Sequence, residues 1–429
     1  MRAVVIGGGA VGLCAAEALA SRGAEVTVFE RDQCGAGASA GNAGWITPSL
    51  AIPVPGPGVI GESLRWLVNP SGPLWIRPTV SPAMLAWIAR FVVRCNRPAY
   101  ERGLAALQHA AALAGPSFDR LAERGVEFEL HDEPLLYPAF EQSELDHLLD
   151  VGEGLRAAGV GDLLDRLSAS ELLELEPALS PRVIGGVIAR RDSRVRPEVL
   201  CDRVRRALVA VGGEVFEQAP VDCLIRDRSS WIVESEPIVR RADAVVLAAG
   251  VASGDLLGAL DTGLPIAAAK GYSRTYPEHP SGPRHALYLE TPKVAISAFD
   301  GAVRVSGTLE LGARELALSE RRLAAITTAA QEALPNWEMA PKPRDWAGMR
   351  SLSPDGLPFI GPLPGWDGIH VATAHATLGI TLAPLTGELL ADLIVDGRRG
   401  ELLAAFDPTR AIARRGYLWA GRATTGGPR

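Results

Sequence analysis

Apolar residues recur along this chain in two rhythms, one of alternate positions or short solid runs, the other of helical spacing. Ala3–Ile6 is a short apolar run, Gly7-Gly8-Gly9-Ala10-Val11-Gly12 is a turn, and Leu13–Arg22 is alanine-rich with helical spacing. Gly23 is placed to end that helix, where positive φ is often required. Glu25–Phe29 is a second apolar strand, closing on Glu30, so residues 1–31 are predicted as strand, glycine turn, helix and strand. Residues 62–125 read as mostly helical, with apolar positions at Leu85, Ile88 and Val92 and again at Leu104, Leu107 and Ala111. Between Val126 and Arg190 the pattern gives short strands (Val126–Leu130, Val183–Ile188) and an acidic helix around Ser168–Leu175. Pro197 suits a first helical position. Leu200, Val204, Leu208 and Val211 then form one stripe, stopped by Gly212-Gly213. Strands are predicted at Glu214–Phe216, Val221–Arg226, Trp231–Glu234 and Asp243–Ala248. Residues 265–310 are β-rich and alternating: Ile266–Ala269, Ser273–Tyr276, Ala286–Leu289, Val294–Ser297 and Val303–Val305. A helix over 319–334 follows, then a strand Gly368–Thr373, a turn and a helix Thr381–Val395. The end of the chain, 416–429, reads as a frayed tail.

Composition narrows the class. At roughly 100–200 residues per domain, 429 residues allow two or three domains. An apolar fraction of 47% with 22% charged residues excludes disorder along the whole chain. A formal net charge of −7 argues against a general nucleic-acid binder, which needs a basic excess. Cys14, Cys34, Cys95, Cys201 and Cys223 are odd in number and nowhere spaced C-x-x-C, and the histidines show no paired ligand spacing. No disulfide framework and no metal site are therefore expected. Met1-Arg2-Ala3 runs directly into Val4-Val5-Ile6, which reads as a strand and not as a signal peptide, so a cytoplasmic protein is expected. Cys34 to Gly61 carries no charge, but Pro48, Pro53, Pro55 and Pro57 forbid a spanning helix, leaving a long loop.

The glycine turn carries the first chemical signal. Gly7-x-Gly9-x-x-Gly12 alone is weak, but here a strand precedes it, a helix follows, and the next strand ends in an acid. Gly7 permits the tight turn, Gly9 lets backbone approach a pyrophosphate, and Gly12 lets helix and strand pack closely. The anion would sit at the helix N-terminus, with Glu30 accepting from a ribose diol. Two later features favour FAD over NAD. The apolar strand at 243–248 ends in the small residues Ala248, Ala249 and Gly250, and the chain returns to the first domain near 350–390.

At this point the residues resemble a known family, the glycine oxidase / D-amino-acid dehydrogenase branch of the FAD-dependent D-amino-acid oxidase family. The segments carrying the resemblance are Val5–Glu30, Ser39-Ala40-Gly41-Asn42-Ala43-Gly44, Val195-Arg196-Pro197, Ala248-Ala249-Gly250, Lys270-Gly271-Tyr272, Gly348-Met349-Arg350 through Pro358, and Ala374-His375-Ala376 through Thr381. The Asn42-Ala43-Gly44 block and the stretch from Trp66 to Pro78 look most like the dehydrogenase side. The resemblance implies an α/β protein: an FAD-binding Rossmann-like domain of glutathione-reductase type plus a substrate domain with a mixed, largely antiparallel sheet. The expected division is 1–50, 190–262 and 343–415 for the flavin domain and 51–189 and 263–342 for the substrate domain.

It also implies site residues. Arg350 matches the arginine that clamps a substrate carboxylate, which a guanidinium does through two parallel charge-assisted bonds. Its bland alternative is a surface arginine or a pair with Asp355. Trp45 is a candidate cap of the substrate pocket, and Tyr288, with Tyr272 as an alternative, a substrate-holding tyrosine. His375 is a candidate base, with loop packing the competing reading. The family usually has glycine on both sides of this histidine, whereas Ala374 and Ala376 flank it here and restrict backbone φ. Cofactor contacts are expected from Gly7, Gly9, Ala10, Val11, Gly12, Glu30, Arg31, Ser39, Asn42, Ala43, Gly44, Val221, Ala249, Gly250, Arg350, Gly379, Ile380 and Thr381. The turn Gly379–Leu382 would aim a helix N-terminus at the flavin. Lys270 is open between a flavin-tuning residue and a partner for an acid. No cysteine lies beside Met349-Arg350, so FAD is expected to be non-covalent.

The implied reaction is oxidative deamination of a small D-amino acid, with hydride passing from Cα to flavin N5 and the imine then hydrolysing. Two alternatives stand beside it: oxidation of glycine, sarcosine, proline or hydroxyproline, and a flavin-binding subunit without turnover. The acceptor, oxygen or quinone, is left open. For a quinone, peripheral contact with the inner face of a membrane is expected through 62–95, with Trp66, Trp75 and Trp87.

Overall fold

The computed structural model describes residues 1–61, 72–76, 81–313 and 315–411. One sheet runs in the order Glu214–Phe216, Glu25–Phe29, Arg2–Ile6, Ala244–Leu247, Ile369–Thr373, Phe359–Pro362. All neighbours are parallel except the last pair. Ile6 lies opposite both Phe29 and Leu247, so the ends of three strands open onto one crevice. The central strands are buried on both faces, which explains their solid rather than alternating apolar runs. The helix Ala10–Ala20 packs between this sheet and the helix Ala383–Ile394. Gly387 makes that close approach feasible, since a Cβ there would strike the Cys14 carbonyl.

A second, nine-stranded sheet is mixed and largely antiparallel, in the order Arg344–Leu352, Ala267–Pro277, Ala302–Leu311, Val294–Phe299, Ala286–Leu289, Leu135–Ala139, Gly185–Ala189, Asp165–Ser168, with Leu74–Ile76 added alongside Ala302–Leu311. Two smaller three-stranded sheets complete the fold. One is the meander Cys223–Asp227, Ser230–Ser235, Ile238–Ala242. The other joins Trp45–Ile46 and Leu130–His131 to Ser193–Val195.

Arg344–Leu352 is hydrogen-bonded to Ala267–Pro277, with Arg350 opposite Ala269. Several expectations need correction. The strand expected at Val126–Leu130 shrinks to Leu130–His131, while a helix at Gln142–Ala157 was not foreseen. In the helix Pro82–Arg94 the buried residue is Trp87, and Leu85 and Val92 are exposed. Val211 caps its helix and is exposed, leaving Leu200, Val204 and Leu208 as the packed stripe. Of the two described tryptophans of 62–95, Trp87 is buried and Trp75 half-buried. Trp87 stacks on Phe91 and donates to the Pro265 carbonyl at 3.1 Å, and Arg322 lies 5.4 Å over the Trp75 ring. Trp66 and the tail lie outside the described residues. Among the described residues no helix is long and apolar enough to cross a membrane.

Candidate active site

A cavity of about 580 Å³ runs from the glycine turn to the inner end of the second sheet. Its first part is the dinucleotide site. Gly7 has φ +112, and a Cβ there would stand 2.6 Å from the Ala248 carbonyl. A Cβ on Gly12 would fall onto the Gly7 carbonyl, so this position needs glycine for packing. Gly9 caps the helix without a side-chain bond, leaving backbone N–H groups directed at the cavity end. Ala10 N donates to Ser39 Oγ at 3.1 Å, and Gly8 N donates to Glu30 Oε2 at 2.6 Å. Glu30 also accepts from Asp32 N at 3.0 Å, which fixes its carboxylate at the far end of the crevice. Asn42 Oδ1 accepts from Gly44 N at 2.8 Å, and Gly44 takes φ +79 where a Cβ would meet the Val195 carbonyl.

The other part is built around Arg350. The guanidinium is partly exposed and lines the cavity. Its Nη1 donates to the Thr308 carbonyl at 3.1 Å, and it lies across Gly271, where a Cβ would stand 2.5 Å from Nη1. Burial depresses its pKa, Tyr288 partly offsetting this. Among the described residues Arg350 has no carboxylate partner. The alternative partner, Asp355, is taken by Arg410 at 2.9 Å. Tyr288 is partly exposed, burial pushes its phenol well up, and its hydroxyl has no hydrogen-bond partner among the described residues.

Of the predicted residues, Gly7, Gly9, Ala10, Val11, Glu30, Arg31, Ser39, Asn42, Val221, Ala249, Gly250, Arg350, His375, Gly379 and Ile380 line the cavity. Gly12, Ala43, Gly44, Thr381 and also Trp45 and Tyr288 are not among the residues that line it. Thr381 Oγ1 donates to the Trp45 carbonyl at 2.8 Å and so ties the helix start to that strand. Trp45 is buried, its Nε1 donating to Ser297 Oγ at 2.8 Å and its ring meeting Tyr288 edge-on at 5.8 Å. His375 is buried, its Nε2 lies 3.0 Å from Thr386 Oγ1, and burial lowers its pKa to about 4. Ala374 and Ala376 take φ +61 and +52, so the loop is held in the left-handed region despite its alanines. Tyr272 does not serve the cavity: its hydroxyl donates to Glu310 at 2.8 Å within the core. Lys270 is likewise buried, 3.6 Å from Glu310, with Nζ donating to the carbonyls of Glu315 and Ala317.

Sequence reasoning missed Ala36, Ala38, Pro220, Asp255, Leu316, Met349 and Ser351, which also line the cavity. Most contribute small side chains or backbone, so residue type gave no signal. Thr308 was missed too. It takes φ +59 at the irregular register opposite Gly271, a feature only strand pairing reveals.

A largely parallel sheet with a glycine turn, an acid at the second strand end, and a second sheet carrying an arginine with no carboxylate partner among the described residues define a dinucleotide-dependent oxidoreductase. Comparison with known proteins makes the class specific. Residues 2–393 match the DAO family of FAD dependent oxidoreductases, and the chain belongs to that family. It is 32% identical over 414 residues to the D-amino acid dehydrogenase of Methylobacterium nodulans, covering 94% of this chain and 97% of the relative. With the D-amino acid dehydrogenase of Vibrio cholerae it shares 29% over 405 residues, 92% of this chain and 96% of that one. Among solved structures, glycine oxidase from Geobacillus kaustophilus superposes with a TM-score of 0.75 at 24% identity, over 96% of this chain and 99% of that one. L-proline dehydrogenase from P. horikoshii gives 0.70 at 19%, over 95% and 97%. The cradle at Gly7 and Gly12, the open helix N-terminus and the anchored Glu30 fit FAD as the dinucleotide.

Proposed function

We propose that this protein oxidises a small D-amino acid at its CH–NH2 bond. The observation that carries the reading is Arg350, a cavity-lining guanidinium with no carboxylate partner among the described residues. Leaving such a charge unpaired is costly unless a ligand completes it. Thr308 holds one edge of the guanidinium and Gly271 leaves room for its plane, so the remaining N–H groups are free to clamp a substrate carboxylate. The Tyr288 hydroxyl is available as a further donor. FAD, when bound, supplies a two-electron acceptor for the substrate's Cα–H bond. The chain's own work is orientation, since two anchors on the carboxylate fix which face of Cα meets the crevice. The resulting imine hydrolyses to a keto acid and ammonia.

His375, neutral and bonded to Thr386, holds the loop to the helix Ala383–Ile394 and is not the base. The turn 378–382 brings backbone N–H groups to the cavity, which favours negative charge there. In this reading FAD is held non-covalently. We read the parallel sheet as the flavin unit and the nine-stranded sheet as the substrate unit, with Arg344–Leu352 reassigned to the latter.

The acceptor is a quinone, reached by peripheral contact with the inner face of a membrane. Leu85, Val92 and Val93 stand exposed beside Arg90 and Arg94 on the helix Pro82–Arg94, the pattern of an interfacial helix. The experiment is anaerobic loss of flavin absorbance on adding D- and L-amino acids, glycine, sarcosine and proline, followed by re-oxidation with air against a quinone. Loss with D-amino acids supports the reading. Loss only with secondary amines or glycine moves the substrate class, and loss with none favours a silent flavin subunit.

A further inference from the structure

Next to the ring cluster of Trp45, Tyr288 and Tyr137 lies a buried acid that the chemistry above leaves unused. Asp192 is 1% exposed. Its Oδ1 accepts from Ser49 N at 3.1 Å, and its Oδ2 accepts from the Ser49 hydroxyl and from the Tyr137 hydroxyl, the latter at 3.3 Å. The Ser49 and Tyr137 hydroxyls are 2.8 Å apart, closing a triangle. Among the described residues no cation pairs with Asp192. Packing alone would be served more cheaply by an uncharged residue, because an unpaired buried carboxylate is costly.

Both partners lead to the Trp45–Tyr288 ring pair. Ser49 lies in the turn Pro48–Leu50 just after Trp45–Ile46, and Gln108 Nε2 holds the same turn through the carbonyls of Pro48 (3.1 Å) and Ala51 (2.9 Å). The Tyr137 ring meets Tyr288 edge-on at 5.7 Å, and Tyr288 in turn meets Trp45.

We propose that Asp192 is a positioning residue for substrate binding: through Ser49 and Tyr137 it fixes the turn at 48–51 and the ring cluster that holds Tyr288, the candidate substrate-holding tyrosine. The proposal rests on the amino-acid reading of the site. Burial raises the Asp192 carboxyl to about 7, the bonds from Ser49 and Tyr137 pulling it back. The groups facing it are the Ser49 hydroxyl and the Tyr137 phenol, itself pushed well up by burial, so neither titrates near neutrality. Beyond them, Tyr288 is raised, Arg350 stays charged and His375 lies at about 4. As a carboxylate Asp192 accepts three bonds. As an acid it also donates, so the bonds among Asp192, Ser49 and Tyr137 must rearrange, which loosens the ring cluster they hold.

The test is steady-state KM and kcat of the holoenzyme between pH 5.5 and 8.5, with the D-amino acid that best reduces the flavin. The wild type is expected to show KM rising as pH falls through about 7, with kcat little changed. Asp192→Asn should raise KM about five- to tenfold at pH 8, the worth of roughly one hydrogen bond, and abolish the step near neutrality. Tyr137→Phe keeps the ring, and is expected to raise KM while retaining the step. It decides the matter if Asp192→Asn fails to fold. Unchanged KM in Tyr137→Phe, or a wild-type pH profile in Asp192→Asn, overturns the proposal. If no amino acid reduces the wild-type flavin, it is the functional reading that fails, a separate outcome.

Discussion

Arg350 Nη1 donates to the backbone carbonyl of Thr308 at 3.1 Å, and Thr308 reaches that position in the left-handed region at φ +59. The bond spans adjacent segments of the second sheet and leaves most of the guanidinium uncommitted. For an L-residue that conformation costs about 1–2 kcal/mol, so the fold accepts strain where it orients a candidate anchor.

Removing the anchor tests its role. Arg350→Ala should raise KM by roughly 10²–10⁴, the worth of two charge-assisted bonds at about 1.5–3 kcal/mol each. FAD content should remain near that of the wild type. Steady-state kinetics beside the flavin spectrum check both, and an unchanged KM would remove the carboxylate role.

Gly271→Ala reaches the same group indirectly. The new methyl would stand 2.5 Å from Arg350 Nη1, so the guanidinium must shift. KM should rise about tenfold or more while the protein stays folded, since a misplacement of about an ångström can cost that much. Circular dichroism beside kinetics separates the two effects.

Ala374 and Ala376 both hold positive φ. Ala374→Gly and Ala376→Gly should each stabilise the protein by up to about 1 kcal/mol, the relief of left-handed strain outweighing the added freedom of the unfolded chain. Urea denaturation of the holoprotein measures it, and destabilisation by both would show that the loop is not strained.

Acid stability follows from two histidines. Burial lowers His375 and His370 to about 4, below the ordinary value of 6.5. Their folded pKa values are depressed, so the stability they contribute is present above 6.5 and lost as pH falls toward 4, by up to about 3 kcal/mol each. Asp192 works oppositely: its raised folded pKa gives stability that is full below about 4 and lost as pH rises through about 7. Thermal melts of His375→Gln from pH 7 to 4.5 should show a shallower decline than the wild type.

Replacing Leu85, Val92 and Val93 by serine should leave activity with a soluble dye acceptor unchanged but reduce co-sedimentation with anionic vesicles. Equal sedimentation would remove this face from the membrane contact.

The parts of the fold visible in the residues were those where backbone geometry demands a particular residue. Gly7 and Gly12 are forced by the Ala248 and Gly7 carbonyls, so the glycine turn and the parallel sheet behind it could be read directly. The helix Gln142–Ala157 also carried its signal, a capping box from Glu141 to Glu144 with Leu145, Leu148 and Leu155 buried, but its acidic face obscured it. Leu85 and Val92 misled because helical spacing identifies an apolar face, not what covers it. Around Arg350 the legible residue was the charged one. Thr308 and Gly271 act through a carbonyl and through empty space, and both depend on a register that no local pattern encodes.

The most direct measurement is an anaerobic titration of purified holoprotein with a D-amino acid such as D-alanine, run in parallel on Arg350→Ala. The account predicts a yellow wild-type protein whose flavin absorbance is lost on adding substrate, and a yellow variant that responds only at far higher concentration. A protein that stays colourless after reconstitution with FAD, or a variant that titrates identically to the wild type, would contradict it.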